Sequence, residues 1–165
     1  MFDAVRGIDA SEVLPADQKP SRIIADHEFG DDTNETEKIE TVLYQLVEKI
    51  GVRLRKLRKA ARMLAIVLDY SDGVRRVRQM NVIPPSANDM SLFKTARALL
   101  YTAWTRRVRF RHIRLICENP VFPPAQMDLF PDPVLQKQEA IVAAMDRIRE
   151  RFGHETIHMG RTYAS

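Results

Sequence analysis

The sequence predicts an α+β domain of order β-α-β-β-α-β: a four-stranded sheet with two helices on one face, then a linker and a C-terminal helix. Three observations carry this prediction. Two long stretches place apolar residues at a helical period, four short ones alternate or are rich in branched side chains, and an Asp72-Gly73 step joins two of the short ones as a hairpin turn.

Residues 1–20 show no lasting period and read as an extended lead-in. From Arg22 to Phe29 the chain alternates, with Ile23, Ala25, His27 and Phe29 on one face of a first strand. Gly30 to Asn34 reads as a turn that caps a helix, and Glu35 and Glu37 suit its first turn. Apolar residues at Ile39, Val42, Leu43, Leu46, Val47, Ile50, Leu54 and Leu57 form one stripe, so the helix is expected over residues 34–59. Gly51 lies inside it and weakens it slightly. Arg62 to Tyr70 and Val74 to Met80 are the arms of a hairpin, and Pro84-Pro85 is expected to stop the second arm. Asn88 or Asp89 then caps a second helix whose stripe is Leu92, Phe93, Ala96, Leu99, Leu100 and Ala103. Val108 to Cys117 alternates again as a fourth strand. Five prolines in residues 119–133 exclude helix and central strand, and a helical period returns from Leu135 to Phe152, with Gly153 as a stop. The expected organisation is a lead-in over residues 1–20, a domain over 21–118, a linker over 119–133, and a helix and tail over 134–165.

A chain of 165 residues with 45% hydrophobic and 29% charged side chains has the make-up of one folded domain. No apolar run approaches the ~20 residues of a membrane span. Residues 1–9 lack a cationic flank followed by an apolar stretch, so no secretory signal is expected. Cys117 is the single cysteine, which excludes an internal disulfide and suggests a reducing cytoplasm.

The net charge of +4 conceals a segregation. Residues 49–116 hold 17 basic and 3 acidic side chains, a net of +14, against −8 for residues 1–48 and −2 for residues 117–165. A basic block inside structured segments points to a polyanion, above all nucleic acid. Arg75, Arg76 and Arg78 in the third strand, Arg109 and Arg111 in the fourth, and Arg106 and Arg107 between helix and strand are the candidate contacts. Arginines at period 2 lie roughly 6.5 Å apart and suit backbone phosphates. The sheet face left bare by the two helices is where they are expected to project. Few residues suited to reading base edges accompany them, so little sequence preference is expected.

No catalytic constellation emerges. His154-Glu-Thr-Ile-His158 has the letters of a zinc-protease motif, but it follows the helix-stopping Gly153 and finds no third ligand, so no metal is expected. Asp31-Asp32 reads as turn and cap chemistry, and Cys117 as a small buried hydrophobe at a strand end. In the proline-rich linker, Gln126, Asp128, Leu129 and Phe130 form a pre-extended peptide with an apolar pair, suited to docking in a partner's pocket or to packing back on its own domain.

Taken in order, these pieces resemble the C-terminal part of a bacterial Y-family translesion DNA polymerase. The resemblance is carried by Gly7-Ile8-Asp9, Lys19 to Phe29 with Asp32, Arg53-Leu-Arg-Lys56, Ala61-Arg62, Tyr70-Ser-Asp72, Arg78, Ile113-Arg-Leu115, Gln126 to Phe130, and Asp146 to Gly153 with Ile157. It implies a little finger domain that grips primer-template DNA, and a sliding-clamp-binding motif at Gln126 to Phe130, in DNA damage tolerance and repair. The parent's palm and thumb domains would be the further partners, with magnesium in the palm and no cofactor in this chain. This chain alone is then not an enzyme, and its setting is the bacterial cytoplasm, at the nucleoid. Gly73 stands where the family has an aromatic, and Cys117-Glu118 where a glycine is common, so polymerase IV, UmuC-like and inactive accessory homologues stay open. The alternative is a stand-alone ferredoxin-like module for RNA or DNA, which would want aromatic stacking residues on its central strands.

Overall fold

Alternating apolar and polar side chains make Arg22–Thr33 the first strand, β1, with Ile23, Ala25 and Phe29 buried on one face. The computed structural model describes residues 21–123 and 132–158. After β1 come α1 (Thr36–Lys56), β2 (Ala61–Tyr70), β3 (Arg75–Ser86), α2 (Asp89–Ala103), β4 (Phe110–Glu118), α3 (Pro133–Phe152) and a single 3-10 turn (His154–Thr156). No helix among the described residues is long and apolar enough to cross a membrane.

The sheet order is β1-β4-β2-β3, with every neighbouring pair antiparallel. Strands β1 and β2 are therefore parallel with β4 between them, and β3 and β4 are parallel with β2 between them. The two helical crossovers form interleaved split βαβ units. Ile39, Leu43, Leu46, Ile50 and Leu54 of α1 and Leu92, Ala96, Leu99 and Leu100 of α2 join one core with the sheet. The sheet contributes Leu64, Ile66 and Leu68 of β2 and Ile113, Leu115 and Cys117 of β4. Each such large side chain stabilises by about 1.5–3 kcal/mol on burial. Burial also pushes the Cys117 thiol up to about 12, in keeping with a packing role.

Several element limits differ from the sequence expectation. Gly30 to Thr33 continue β1 through a register shift, and Thr33 pairs with Phe110, so α1 starts at Thr36 with no side-chain cap from its N-cap residue Glu35. Its end is a Schellman motif: Arg58 N–H reaches the Arg55 carbonyl at 3.1 Å and Lys59 N–H the Leu54 carbonyl at 2.9 Å, with Arg58 at φ 52°. Pro84 and Pro85 do not stop β3. They lie on an edge strand, within the irregular stretch between the Met63–Asn81 and Ala61–Ser86 pairs, where a missing N–H breaks no regular ladder. Asn88 is the cap of α2, its side chain accepting from Met90 N–H at 2.9 Å. Pro133 opens α3 as its first residue, behind the Asp132 cap, rather than closing the linker. The stretch after β4 is tied back by a two-way backbone pairing of Ala60 with Val121 (2.7 and 2.9 Å).

Gly51 does more than weaken α1. A Cβ there would collide with the Asp89 carboxylate at the start of α2, so only glycine lets the two helices meet at this point. Asp89 is 1% exposed and receives Arg55 Nη1 at 2.7 Å. Arg55 also grips Asp146 of α3, and Arg149 of α3 lies 3.3 Å from Glu48 of α1, which His158 reaches at 3.1 Å. The C-terminal helix is thus fastened to the helix layer by charge.

Candidate nucleic-acid interface

The sheet face away from α1 and α2 is a grid set by register. Its rows are Arg22–Glu118–Met63–Asn81, Ile24–Ile116–Ala65–Gln79, Asp26–Arg114–Val67–Val77 and Glu28–His112–Asp69–Arg75. Its three arginines, Arg22, Arg75 and Arg114, face four carboxylates, Asp26, Glu28, Asp69 and Glu118. Most of these charges are paired. Arg22 meets Glu118 at 2.9 Å, Arg75 meets Asp69 at 2.5 Å and Arg114 meets Asp26 at 3.7 Å. His112 bridges Asp69 (3.2 Å) and Asp26 (3.1 Å). The His112 hydrogen bond is the main cause that holds the Asp26 carboxyl below its usual range. Burial pulls Asp69 upward, but Arg75 and His112 together outweigh it and leave its carboxyl low as well. The bare face is therefore near charge balance, and the expectation that the strand arginines project from it fails for Arg76 and Arg78; Arg109, expected in the fourth strand, precedes β4, which begins at Phe110.

Register explains the failure. Arg76 pairs with Leu68 and Arg78 with Ile66, both core residues, so these two arginines lie on the helix side of the sheet. They stay exposed because β3 is an edge strand. Arg76 shares the hairpin end of the sheet with the segment between α2 and β4. There Ser71 N–H donates to the Arg109 carbonyl at 2.9 Å, and Arg106 pairs with Asp72 at 2.7 Å while lying over the Tyr70 ring at 5.5 Å. An aromatic group fixes this segment: Phe110 packs with Tyr70 at 5.0 Å and Trp104 at 4.9 Å, and Trp104 Nε1–H donates to the Arg106 carbonyl. The turn itself closes through Gly73, whose φ of 86° suits glycine.

The seven candidate arginines thus divide in two. Arg75, Arg106 and Arg111 face Asp69, Asp72 and Asp32, the last at 3.8 Å. Arg76, Arg78, Arg107 and Arg109 are exposed and have no carboxylate partner among the described residues. Arg76, Arg107 and Arg109 gather at the hairpin end, and Arg78 lies two residue pairs beyond Arg76 along β3. Sequence reasoning passes over Arg114 and the His112 bridge, whose signal was the alternation of β4 opposite Asp26 and Asp69. His158 faces Glu48 and Glu155 (3.3 Å), and no group of three metal-ligating side chains occurs among the described residues. Asp32 lies in β1 rather than in a turn. Gln126, Asp128, Leu129 and Phe130 lie outside the described residues.

Comparison with known proteins adds the wider setting. Residues 20–129 match the model of the impB/mucB/samB family C-terminal domain. A DNA polymerase IV of Dehalococcoides mccartyi is 30% identical over 167 residues, covering 99% of this chain and 41% of that protein. Another, of Halorhodospira halophila, is 32% identical over 132 residues, covering 79% of this chain and 36% of that protein. The chain thus spans about two fifths of the length of these relatives. The solved structure of DinB from Sulfolobus solfataricus shares the fold, with a TM-score of 0.52 at 10% identity over 74% of this chain and 39% of that one.

Proposed function

Because the chain belongs to the impB/mucB/samB C-terminal domain family, we propose that it is the little finger region of a Y-family translesion polymerase of the polymerase IV type, gripping primer-template DNA with little regard to sequence. The observation that carries this reading is the set of four exposed arginines without carboxylate partners among the described residues, Arg76, Arg107 and Arg109 at the hairpin end and Arg78 further along β3. Guanidinium groups on strand and aromatic-backed loop supports meet phosphates without first giving up an internal ion pair. The paired Arg75, Arg106 and Arg111 are secondary contacts, available where a phosphate displaces a carboxylate. The nearly balanced open face contributes area rather than charge. In this reading polymerisation and its magnesium belong to a palm domain of the parent, and the palm and thumb are neighbours in the same polypeptide. The setting is the bacterial nucleoid, in DNA damage tolerance.

Gln126, Asp128, Leu129 and Phe130 are read as a peptide that docks the replicative sliding clamp. Gln126 would fill a polar subsite and Leu129 with Phe130 an apolar one, and the resemblance of the motif and its place after β4 support this. Flanking prolines lower the cost of ordering the peptide, which suits an affinity of order micromolar.

Fluorescence anisotropy with labelled primer-template DNA across a salt series tests the grip. The logarithm of affinity should fall with that of salt by about 0.9 per neutralised phosphate. Arg76, Arg78, Arg107 and Arg109 changed together to Ala should flatten the slope by about 3.6. A slope unchanged in that variant, with the fold intact, overturns the assignment. For the clamp, Leu129→Ala with Phe130→Ala should abolish binding to the clamp while leaving melting temperature and DNA affinity unchanged.

A further inference from the structure

On the β1 edge of the sheet, opposite the edge that carries Arg76 and Arg78, a cleft of about 770 Å³ opens between β1, α1 and α3. Ile24, Val52 and Ala143 give it an apolar floor. Four exposed cations line it, Lys49, Arg53 and Lys56 of α1 and Arg147 of α3, and none has a carboxylate partner among the described residues. Two of the three carboxylates in its wall are engaged elsewhere. Asp146 is held by Arg55 at 2.5 and 3.0 Å, and Asp26 faces His112 and Arg114. Glu150 is the third. The cleft exists because the Arg55–Asp146 pair holds α3 beside α1.

We propose that this cleft is a nucleotide site: a base lies on the apolar floor, and its phosphates meet Lys49, Arg53, Lys56 and Arg147. An apolar bed with a few convergent charges is the usual form of a small-ligand site, and its volume is in the usual range. A duplex is too broad to enter, so the nucleotide comes either free in solution or from a single-stranded stretch of nucleic acid. The site is separate from the hairpin-end arginines and does not depend on them.

The test uses the full chain with Arg76, Arg78, Arg107 and Arg109 changed to Ala, so that the hairpin end is silent. Two probes are titrated, a labelled short single-stranded oligothymidylate by anisotropy and dTTP by calorimetry. Saturable one-to-one binding of either is expected. Binding of the oligonucleotide alone identifies a strand as the source, and binding of dTTP a free nucleotide. Arg53→Glu with Lys56→Glu should weaken binding by an order of magnitude or more. Ala143→Trp, which fills the cleft at an exposed position without changing its charge, should block binding, with circular dichroism showing the helices intact. The proposal is overturned if neither probe binds, if these variants bind as before, or if inorganic triphosphate displaces the probe as well as dTTP does.

Discussion

Arg55 of α1 and Asp146 of α3, ninety-one residues apart, meet in a two-pronged pair: Nε donates to Oδ2 at 2.5 Å and Nη2 to Oδ1 at 3.0 Å. The remaining nitrogen of the same guanidinium donates to Asp89 Oδ1 and to the Ala87 carbonyl, so one arginine joins three helices. Removing it leaves the buried Asp89 carboxylate without its cation. Arg55→Ala should cost about 2–4 kcal/mol in urea unfolding, and hydrogen exchange should quicken first along α3. Arg55→Lys, which cannot make the forked contact, should recover only part of the loss.

Gly51→Ala should destabilise the domain although alanine is the better helix former by about 1 kcal/mol. The added methyl falls on the buried Asp89 carboxylate and close to the Arg55 Nη1 that holds it. Asp89→Ala removes the nearer of these two obstacles, so a double-mutant cycle should show strong coupling between positions 51 and 89. Additive effects would mean that the helices do not meet there.

The Asp89 carboxyl is pushed up to about 6, chiefly by burial, against the pull of Arg55 and with a further push from Glu48. A folded-state value above the unfolded one means that the native state binds more protons across that interval. Stability from this group is therefore fully present below about pH 4 and lost as pH rises through about 6. Asp26, Asp69 and Asp72, all held low, act in the opposite sense and lose their contribution as pH falls below about 4. Asp89→Asn should flatten the decline in unfolding free energy between pH 4 and pH 6.5, a change of order 2 kcal/mol by chemical denaturation.

Asp69→Asn should strengthen DNA binding. It releases Arg75 and one nitrogen of His112 from a carboxylate that now neutralises the end of the open face. The salt slope should steepen by about 0.9 for the phosphate that Arg75 gains. Arg75→Ala in the parent sequence should weaken binding less than Arg107→Ala does, since only Arg107 is free beforehand.

The order of elements is legible in the amino-acid sequence, because helical and strand periods are local and survive in the letters. The stripe from Ile39 to Leu54, the Asp72-Gly73 turn, the Asn88 cap and the Gly153 stop recur in the structure, whereas Leu57, expected as the last residue of that stripe, is the exposed C-cap of α1. Tertiary structure alone decided which side of the sheet each arginine faces and which of them are free. A period of two shows that Arg76 and Arg78 share a face, but the face itself is set by their pairing with Leu68 and Ile66 on β2. Pro84 and Pro85 are tolerated because β3 is an edge strand, which no local pattern records. Gly51 is required because Asp89, thirty-eight residues on, arrives beside it. Charges separated by tens of residues are joined only when register and helix packing bring them within a few ångströms. The basic block was therefore legible as composition, while its division into paired and free arginines was not.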